Sequence, residues 1–183
     1  GERMSQVAAE ALPLSRTQIR EFATDIRKML GLQSVPQVDV AQLVEIILPQ
    51  VIPDFYLDVR TMEEMGNKHG EANPSEKMIC LRDDVYDGVV RGVGRDRLTA
   101  LHEVGHVLLH TPDRIVLCRA EGTLARFKDP EWQADCFAGE FLASHLFVGQ
   151  CRHAEDLSQL TGVSIAAAKV QWNAYMREGL IQR

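Results

Sequence analysis

Apolar residues recur every three or four positions in the first quarter of the chain, a spacing that predicts amphipathic helices. The stretch LSRTQIREFATDIRKMLGL begins with a capping-box pair, Ser15 and Gln18, and reaches Gly31, where a helix would stop. The stretch VDVAQLVEIILPQ has Asp39 at a helix N-cap position and Pro49 near its end. We therefore predict two N-terminal helices, the second ending before Pro49.

The pattern then changes to β-branched and aromatic residues with partial alternation, which is typical of strands. The stretches VIPDFYLDVRTME and EKMICLRDD have this composition, and a turn-rich gap separates them. They predict a small antiparallel sheet, in which the second strand is either an exposed edge or a packed inner strand. The following stretch, DGVVRGVGRDR, contains three glycines and is predicted to be a loop.

Helical spacing returns in the second half of the chain. RLTALHEVGHVLLHTP carries apolar residues almost all round, which predicts a buried helix. After a stretch without a firm pattern, DPEWQADCFAGEFLASHLF begins with Asp129 as N-cap and Pro130 at the first helical position. AEDLSQLTGVSIAAAKVQWNAYMREGL predicts two helices joined at Thr161 and Gly162, with Ser164 capping the second.

These elements predict an α+β fold: a small antiparallel sheet packed with a zincin-type helix, a second ligand-bearing helix and a C-terminal helical hairpin. The chain has 183 residues, of which 45% are hydrophobic and 25% charged, values ordinary for one globular domain. We expect a single domain over residues 4–183, leaving the first three residues out of the fold. Its predicted parts are N-terminal helices (15–50), a sheet (51–92), the helices of a metal site (95–148) and the hairpin (152–180).

Charge and composition narrow the classes of partner. The net charge of −6 gives no basic surface for phosphate backbones, so nucleic acid is not expected as the main partner. No apolar run approaches the roughly 18 residues of a membrane span, and no secretory leader is recognisable, so we expect a cytoplasmic protein. Four cysteines without a CxxC pair match neither a zinc knuckle nor a redox motif, and Cys136 is expected in the core.

Residues 102–106, HEVGH, form an HExxH motif within the predicted buried helix. Because residues four apart on a helix face the same way, His102 and His106 could bind one zinc ion. Glu103, next to His102, could then act as general base on a water molecule bound to that ion. The alternative is that both histidines are ordinary surface or core groups. Burying two histidines and a glutamate without partners costs several kcal/mol of folding free energy. A bound cation would remove this cost, so we predict a metal site.

A third protein ligand must come from another element. Glu131 is our choice, on the helix after Asp129, and Asp135 one turn later could accept the N–H of a ligating histidine. Small residues on both helices, Gly105 among them, would allow the close approach that this requires. The competing candidates are Glu121, Asp129 and Glu140.

His110 extends the histidine spacing by one more turn. At a rise of about 1.5 Å per residue it lies about 12 Å from His102 along the helix axis, too far to share its metal. We expect a helix-end residue or a side chain beside the cleft.

The string RDRLTALHEVGHVLLH followed by EWQADCFAGEFLA resembles the ImmA/IrrE family of metallopeptidases. In that family an arginine-flanked HExxH helix is followed by a helix of the form E-x-x-A-(N/D)-x-F-A-x-x-L-L. The resemblance is loose over residues 15–178 and sharp over 95–142. It implies His102, His106 and Glu131 as zinc ligands and Glu103 as general base. It further implies a zinc-dependent endopeptidase that cleaves a helix-turn-helix repressor, although Mn²⁺ or Fe²⁺ could occupy similar ligands.

The chain departs from the family pattern where the second motif ends in FLASHLF, so His145 could project into the cleft. An oxyanion would need further donors. The candidates are Tyr56, Tyr86, Arg97, His69 and His145, and for each a surface or packing role is the favoured interpretation.

The alternative function is a zinc-stabilised module that binds protein or DNA through its C-terminal hairpin without proteolysis. The hairpin has the proportions of a helix-turn-helix. Residues 151–183 carry four Lys or Arg against three Asp or Glu, which is little positive charge for phosphate contact. A hairpin that completes the core or grips a partner repressor is therefore the favoured interpretation.

Overall fold

The computed structural model describes residues 6–120 and 124–182 and has an α+β fold, which confirms the predicted class. The strands are β1 (Gln6–Ala11), β2 (Tyr56–Arg60), β3 (Gly70–Asn73), β4 (Met78–Arg82) and β5 (Ile115–Ala120). The α-helices are α1 (Arg16–Met29), α2 (Val40–Gln42), α3 (Leu48–Val51), α4 (Met62–Met65), α5 (Asp83–Val90), α6 (Gly94–Leu109), α7 (Pro130–Leu142), α8 (Ala154–Thr161) and α9 (Ile165–Arg177). Each helix in the described ranges is too short or too polar to cross a membrane.

The predicted N-terminal helix is confirmed as α1. Its capping box is present, since the Ser15 side chain accepts from the Gln18 N–H while the Gln18 side chain accepts from the Ser15 N–H. Gly31 follows the helix in the left-handed region at φ 71°, a conformation that glycine adopts without steric cost. Ile19 and Ala23 are fully buried on the face that packs against α7.

The second helix does not end before Pro49 as predicted. A π turn (Leu43–Ile47) joins α2 to α3, and Pro49 lies in the first turn of α3. The π turn shifts the hydrogen-bonding register, so the helix restarts where the missing N–H of proline carries no cost. The predicted N-cap at Asp39 is present, with its carboxylate accepting from the Gln42 N–H.

The sheet after this helix is mixed, not antiparallel as predicted. β4 lies in the centre, pairs in parallel with β2 and is antiparallel to β3. Every residue of β4 is buried, so EKMICLRDD provides a packed inner strand and not an exposed edge. The edge is β3, which forms within the gap that the sequence indicated as turns.

A second sheet was not predicted. β1 and β5 pair along their whole length as an antiparallel ribbon, from Ala11 opposite Ile115 to Gln6 opposite Ala120. β5 occupies part of the stretch in which no pattern was visible. The loop prediction for DGVVRGVGRDR was also wrong in part, because α5 runs to Val90 and α6 begins at Gly94.

The core lies around α6, which packs against α7, α5, β3 and β4. At Gly105 an added Cβ would lie 3.1 Å from Phe137 Cδ1 and 3.3 Å from two backbone atoms of Ala134. An added Cβ would require a neighbour to move by a few tenths of an ångström, so glycine favours the close approach of α6 and α7. The small residues expected between the two helices therefore bring them together, and Cys136 lies in the core as expected.

The C-terminal hairpin of α8 and α9 is confirmed, with Ser164 capping α9 and Gly162 in the left-handed region. Arg97, fully enclosed near the start of α6, donates from Nη1 to the carbonyls of Thr161 and Gly162. Its Nη2 donates to Val38 O at 2.9 Å. This arginine links the hairpin turn to the helix that carries the HExxH motif.

Candidate metal centre

The two motif histidines lie one turn apart on α6, and α7 presents Glu131 to both of them. His102 Nε2 lies 3.0 Å from His106 Nε2 and 3.1 Å from Glu131 Oε2. His106 Nε2 lies 3.2 Å from Glu131 Oε1. Two imidazole nitrogens and the Glu131 carboxylate, which meets each nitrogen through a different oxygen, therefore lie together between the helices, as expected from the sequence for these residues.

The distances between these side-chain atoms are close to those between the ligand atoms of a tetrahedral zinc ion. Tetrahedral zinc with bonds of about 2.0–2.1 Å holds its ligand atoms about 3.3 Å apart. Here the two nitrogens lie 3.0 Å apart, and they lie 3.1 and 3.2 Å from different Glu131 oxygens, so small side-chain movements would bring both nitrogens and one carboxylate oxygen to that spacing. Two imidazoles and a carboxylate are also ligands that zinc accepts, and Mn²⁺ or Fe²⁺ accept the same types.

Electrostatics link the three side chains. Burial opposes the charged form of His102, but hydrogen bonds to Asp135 and Glu131 outweigh it and raise the pKa to about 10. Hydrogen bonds from His102 and His106 hold the Glu131 pKa well below its usual value. The carboxylate is thus negatively charged at neutral pH, the form in which it can bind a cation.

Asp135 lies one turn beyond Glu131 and contacts the other side of the His102 ring. Its Oδ1 is 2.6 Å from His102 Nδ1, so the Nδ1–H donates to the carboxylate. With one proton held on Nδ1, loss of the proton on Nε2 would leave that atom with a free lone pair for a metal ion. Asp135 therefore stands where the sequence argument expected a partner for a ligating histidine.

Glu103 lies beside the three converging atoms but is not part of them. Glu103 is only 8% exposed. This burial raises the pKa of its carboxyl group, although the nearby His102 and His106 act in the opposite direction. The side chain packs against β3, since a Cβ on Gly70 would lie 2.9 Å from both Glu103 Cγ and Oε1. A buried carboxyl with a raised pKa is suited to accepting and returning a proton.

A further pair of side chains extends the cluster away from the cleft. His110, the C-cap of α6, has Nδ1 2.8 Å from His106 Nδ1 and Nε2 2.9 Å from Gln133 Oε1. Burial lowers the His110 pKa to about 4, so the ring is neutral at neutral pH. Its position at the helix end beside the cleft agrees with the expectation, whereas its contact with Gln133 was not predicted.

A cleft of about 780 Å³ opens over these residues. β3 with the turn after it forms one side, the β1–β5 ribbon forms another, and the first turn of α7 adds Pro130 and Glu131. Leu117 of β5 is 72% exposed and Ile115 also faces the cleft, so this side is largely apolar.

The five residues considered as oxyanion donors lie elsewhere; none is among the described residues that line the cleft. Arg97 is enclosed beneath the hairpin turn, and the Tyr86 hydroxyl donates to Glu45. His145 does not project into the cleft: its ring lies 6.4 Å from that of Tyr175. The cleft is instead lined by another cation, Lys68, which was not among the predicted donors.

Two of the competing ligands are committed to other contacts. The Asp129 carboxylate accepts from the Glu131 N–H as the cap of α7. Glu140 is fully buried on another face of α7, where Arg16 and Arg20 donate to its carboxylate. Glu121 lies outside the described residues. Among the residues that the structure describes, the group able to hold a metal ion is therefore His102, His106 and Glu131.

Comparison with known proteins gives little further information. The chain matches no protein-family model and no curated protein. A search of solved structures finds a Mycobacterium tuberculosis transcriptional regulator at 16% identity and a TM-score of 0.48. The alignment covers 85% of this chain and 50% of that protein, so the chain spans half of its length.

Proposed function

We propose that the protein is a zinc-dependent endopeptidase with His102, His106 and Glu131 as metal ligands and Glu103 as general base. The observation that carries the proposal is the convergence of His102 Nε2, His106 Nε2 and the Glu131 carboxylate, which meets the two nitrogens through different oxygens at 3.1 and 3.2 Å, beside a buried carboxylate at the floor of an open cleft. When bound, zinc supplies Lewis acidity, which polarises a peptide carbonyl and acidifies coordinated water. Manganese and iron are alternatives for the native metal.

Glu103 has the surroundings of a general base. Its raised pKa brings proton uptake closer to neutral pH, and its carboxylate adjoins His102 and His106 at the cleft surface. In the proposed reaction Glu103 takes a proton from the attacking water and passes it to the departing amine. Asp135 keeps the proton of His102 on Nδ1 throughout.

A structural metal site is the less favourable alternative. Structural zinc sites usually have four protein ligands, whereas the group here has three within the described ranges. A structural site would also have no use for a buried carboxylate beside it, or for a cleft above the ligands.

The edge strand β3 is suited to aligning an extended substrate. Its residues Gly70 and Ala72 line the cleft, and its other edge is already paired with β4. A peptide segment could add to its free edge as a further strand, with the apolar side chains of β5 opposite. We propose that β3 and the HExxH helix α6 together form the zincin-type arrangement expected from the sequence.

We further propose, from the resemblance to the ImmA/IrrE family, that the substrate is a helix-turn-helix repressor and that the protein acts as an anti-repressor. The C-terminal hairpin is better suited to completing the core than to DNA binding. Gln171 and Tyr175 of α9 are buried, the Tyr175 hydroxyl donates to Glu140, and Arg97 fixes the hairpin turn.

The test is to incubate the zinc-loaded protein with the helix-turn-helix repressor encoded beside its gene and to identify fragments by mass spectrometry. Glu103→Gln should retain stoichiometric zinc and lose cleavage, because it removes the proton acceptor and no ligand. Glu155→Gln, the same change at an exposed position of α8 outside the residues that line the cleft, serves as control and should cleave normally. Cleavage by a clean Glu103→Gln preparation would refute the mechanism, and repressor binding without cleavage by the wild type would favour the binding module.

A further inference from the structure

Gln133 is fully buried beneath the metal cluster, and its amide can adopt only one orientation. Its Nε2 lies 2.8 Å from both Leu12 O and Phe127 O. Both partners are carbonyls, which only accept, so the NH₂ group must face them. Turning the amide over would place three oxygens together without a proton. The Oε1 atom of Gln133 therefore faces His110.

This orientation decides which nitrogen of His110 carries the proton. His110 Nε2 lies 2.9 Å from Gln133 Oε1, which can only accept, so Nε2 must be the protonated donor. His110 Nδ1 lies 2.8 Å from His106 Nδ1, so one proton lies between the two atoms. A His106 that binds metal through Nε2 carries its proton on Nδ1 and donates it to His110 Nδ1.

The chain of hydrogen bonds thus ends at the proposed metal. A neutral His106 with its proton on Nδ1 has its lone pair on Nε2, the atom that faces His102 Nε2 and Glu131 Oε1. The opposite tautomer would point an N–H at the cation and remove a ligand.

We propose that His110 and Gln133 are positioning residues that hold His106 in the tautomer that binds metal through Nε2. This inference rests on the proposed metal centre and assigns a role to residues outside its ligand set. The two histidine ligands are then held differently: His102 by a carboxylate whose side chain is 74% exposed, and His106 by a buried, neutral pair anchored on backbone carbonyls.

The first test measures zinc affinity by competition with a chromophoric chelator. His110→Leu removes the acceptor for His106 Nδ1–H, and we expect zinc to bind about 10- to 100-fold more weakly, as is usual when such a partner is lost. His110→Asn offers an amide oxygen near the position of Nδ1 and should restore most of the affinity. His145→Leu replaces a half-buried histidine away from the cluster and should leave zinc binding unchanged.

The second test reads the tautomers directly and does not depend on activity. Long-range ¹H–¹⁵N NMR of the zinc-loaded wild type should show His106 protonated on Nδ1 and His110 on Nε2. This measurement decides the matter even if His110→Leu fails to fold. Protonation of His110 on Nδ1, or wild-type zinc affinity in a folded His110→Leu, would overturn the inference and leave the metal centre standing. Failure of the wild type to bind zinc would overturn both.

Discussion

Replacing Glu131 by alanine removes the carboxylate through which α7 contributes to the proposed metal centre. Its two carboxylate oxygens lie 3.1 Å from His102 Nε2 and 3.2 Å from His106 Nε2, so one side chain spans both histidines. The side chain itself is 70% exposed and contributes little buried surface. We therefore expect the substitution to act mainly on metal-bound protein.

The size of the effect follows from binding linkage. Zinc at 100 times its dissociation constant stabilises the wild type by about 2.7 kcal/mol. For a chain of this length about 1 kcal/mol corresponds to 2–4 °C, so zinc should raise the melting temperature by about 5–11 °C. A ligand contributes at least as much as its hydrogen-bonding partners, whose loss costs about 10- to 100-fold in affinity. At a 100-fold weaker affinity the same zinc concentration gives about 0.4 kcal/mol, a rise of about 1–2 °C.

The assay is differential scanning calorimetry of each protein without and with zinc, so that the zinc-induced rise is separated from any effect on the metal-free fold. Glu155→Ala, an exposed glutamate in the first turn of α8, is a matched control and should keep the full rise. Glu103→Gln should also keep it. A Glu131→Ala protein with the wild-type rise would show that the third ligand has been assigned to the wrong residue.

Two further predictions concern positions next to the centre. Gly70→Ala places a Cβ 2.9 Å from the Glu103 carboxylate, so the general base is displaced. Because a general base supplies about 10²–10⁴ in rate, we expect kcat for repressor cleavage to fall by about 10-fold or more while zinc affinity stays the same. An unchanged kcat in a steady-state assay would contradict this. Arg97→Leu leaves three backbone carbonyls without their donor and should destabilise the metal-free protein by about 3 kcal/mol in urea unfolding, whereas a loss below about 1 kcal/mol would contradict the assigned structural role.

The helices and their ends were largely predictable because their signals are local. Capping residues such as Ser15, Asp129 and Ser164 accept from N–H groups two or three positions along the chain, so the stretch itself contains the evidence. The π turn was not predictable, since nothing in LVEII distinguishes it from an α-helical turn. Its consequence, a proline inside a continuing helix, was missed for the same reason.

Three strands were missed because tertiary pairing creates them. β3 contains Gly70 and Asn73, residues that normally indicate turns, and becomes a strand by pairing with the buried β4. β1 and β5 lie over a hundred residues apart and, among the described strands, pair only with each other, so neither stretch carries a decisive pattern. The parallel pairing of β2 with β4 depends on the path of the chain between them, which composition does not specify.

The three proposed ligands and Asp135 could be predicted because helical spacing places each of them on a known face. Gln133 could not. It lies between Glu131 and Asp135 on the opposite face of α7, where a glutamine is indistinguishable from any polar core residue until its partners are known. The helical spacing of His110 excluded it as a ligand, but it could not reveal a role beside one.

The two glutamates near the histidines have opposite electrostatic surroundings, and this difference separates their proposed roles. Burial against β3 raises the pKa of Glu103, and it makes no ion pair comparable to those of Glu131 within the described residues. Hydrogen bonds from both histidines lower the pKa of Glu131, which is largely exposed. A ligand must remain deprotonated, whereas a base that returns its proton must bind one at moderate cost. Exchange of the two roles would require Glu131 to accept a proton against two neighbouring histidines, and Glu103 to keep a charge that its burial disfavours. The pair of environments therefore supports Glu131 as ligand and Glu103 as base independently of the order of the residues in the motif.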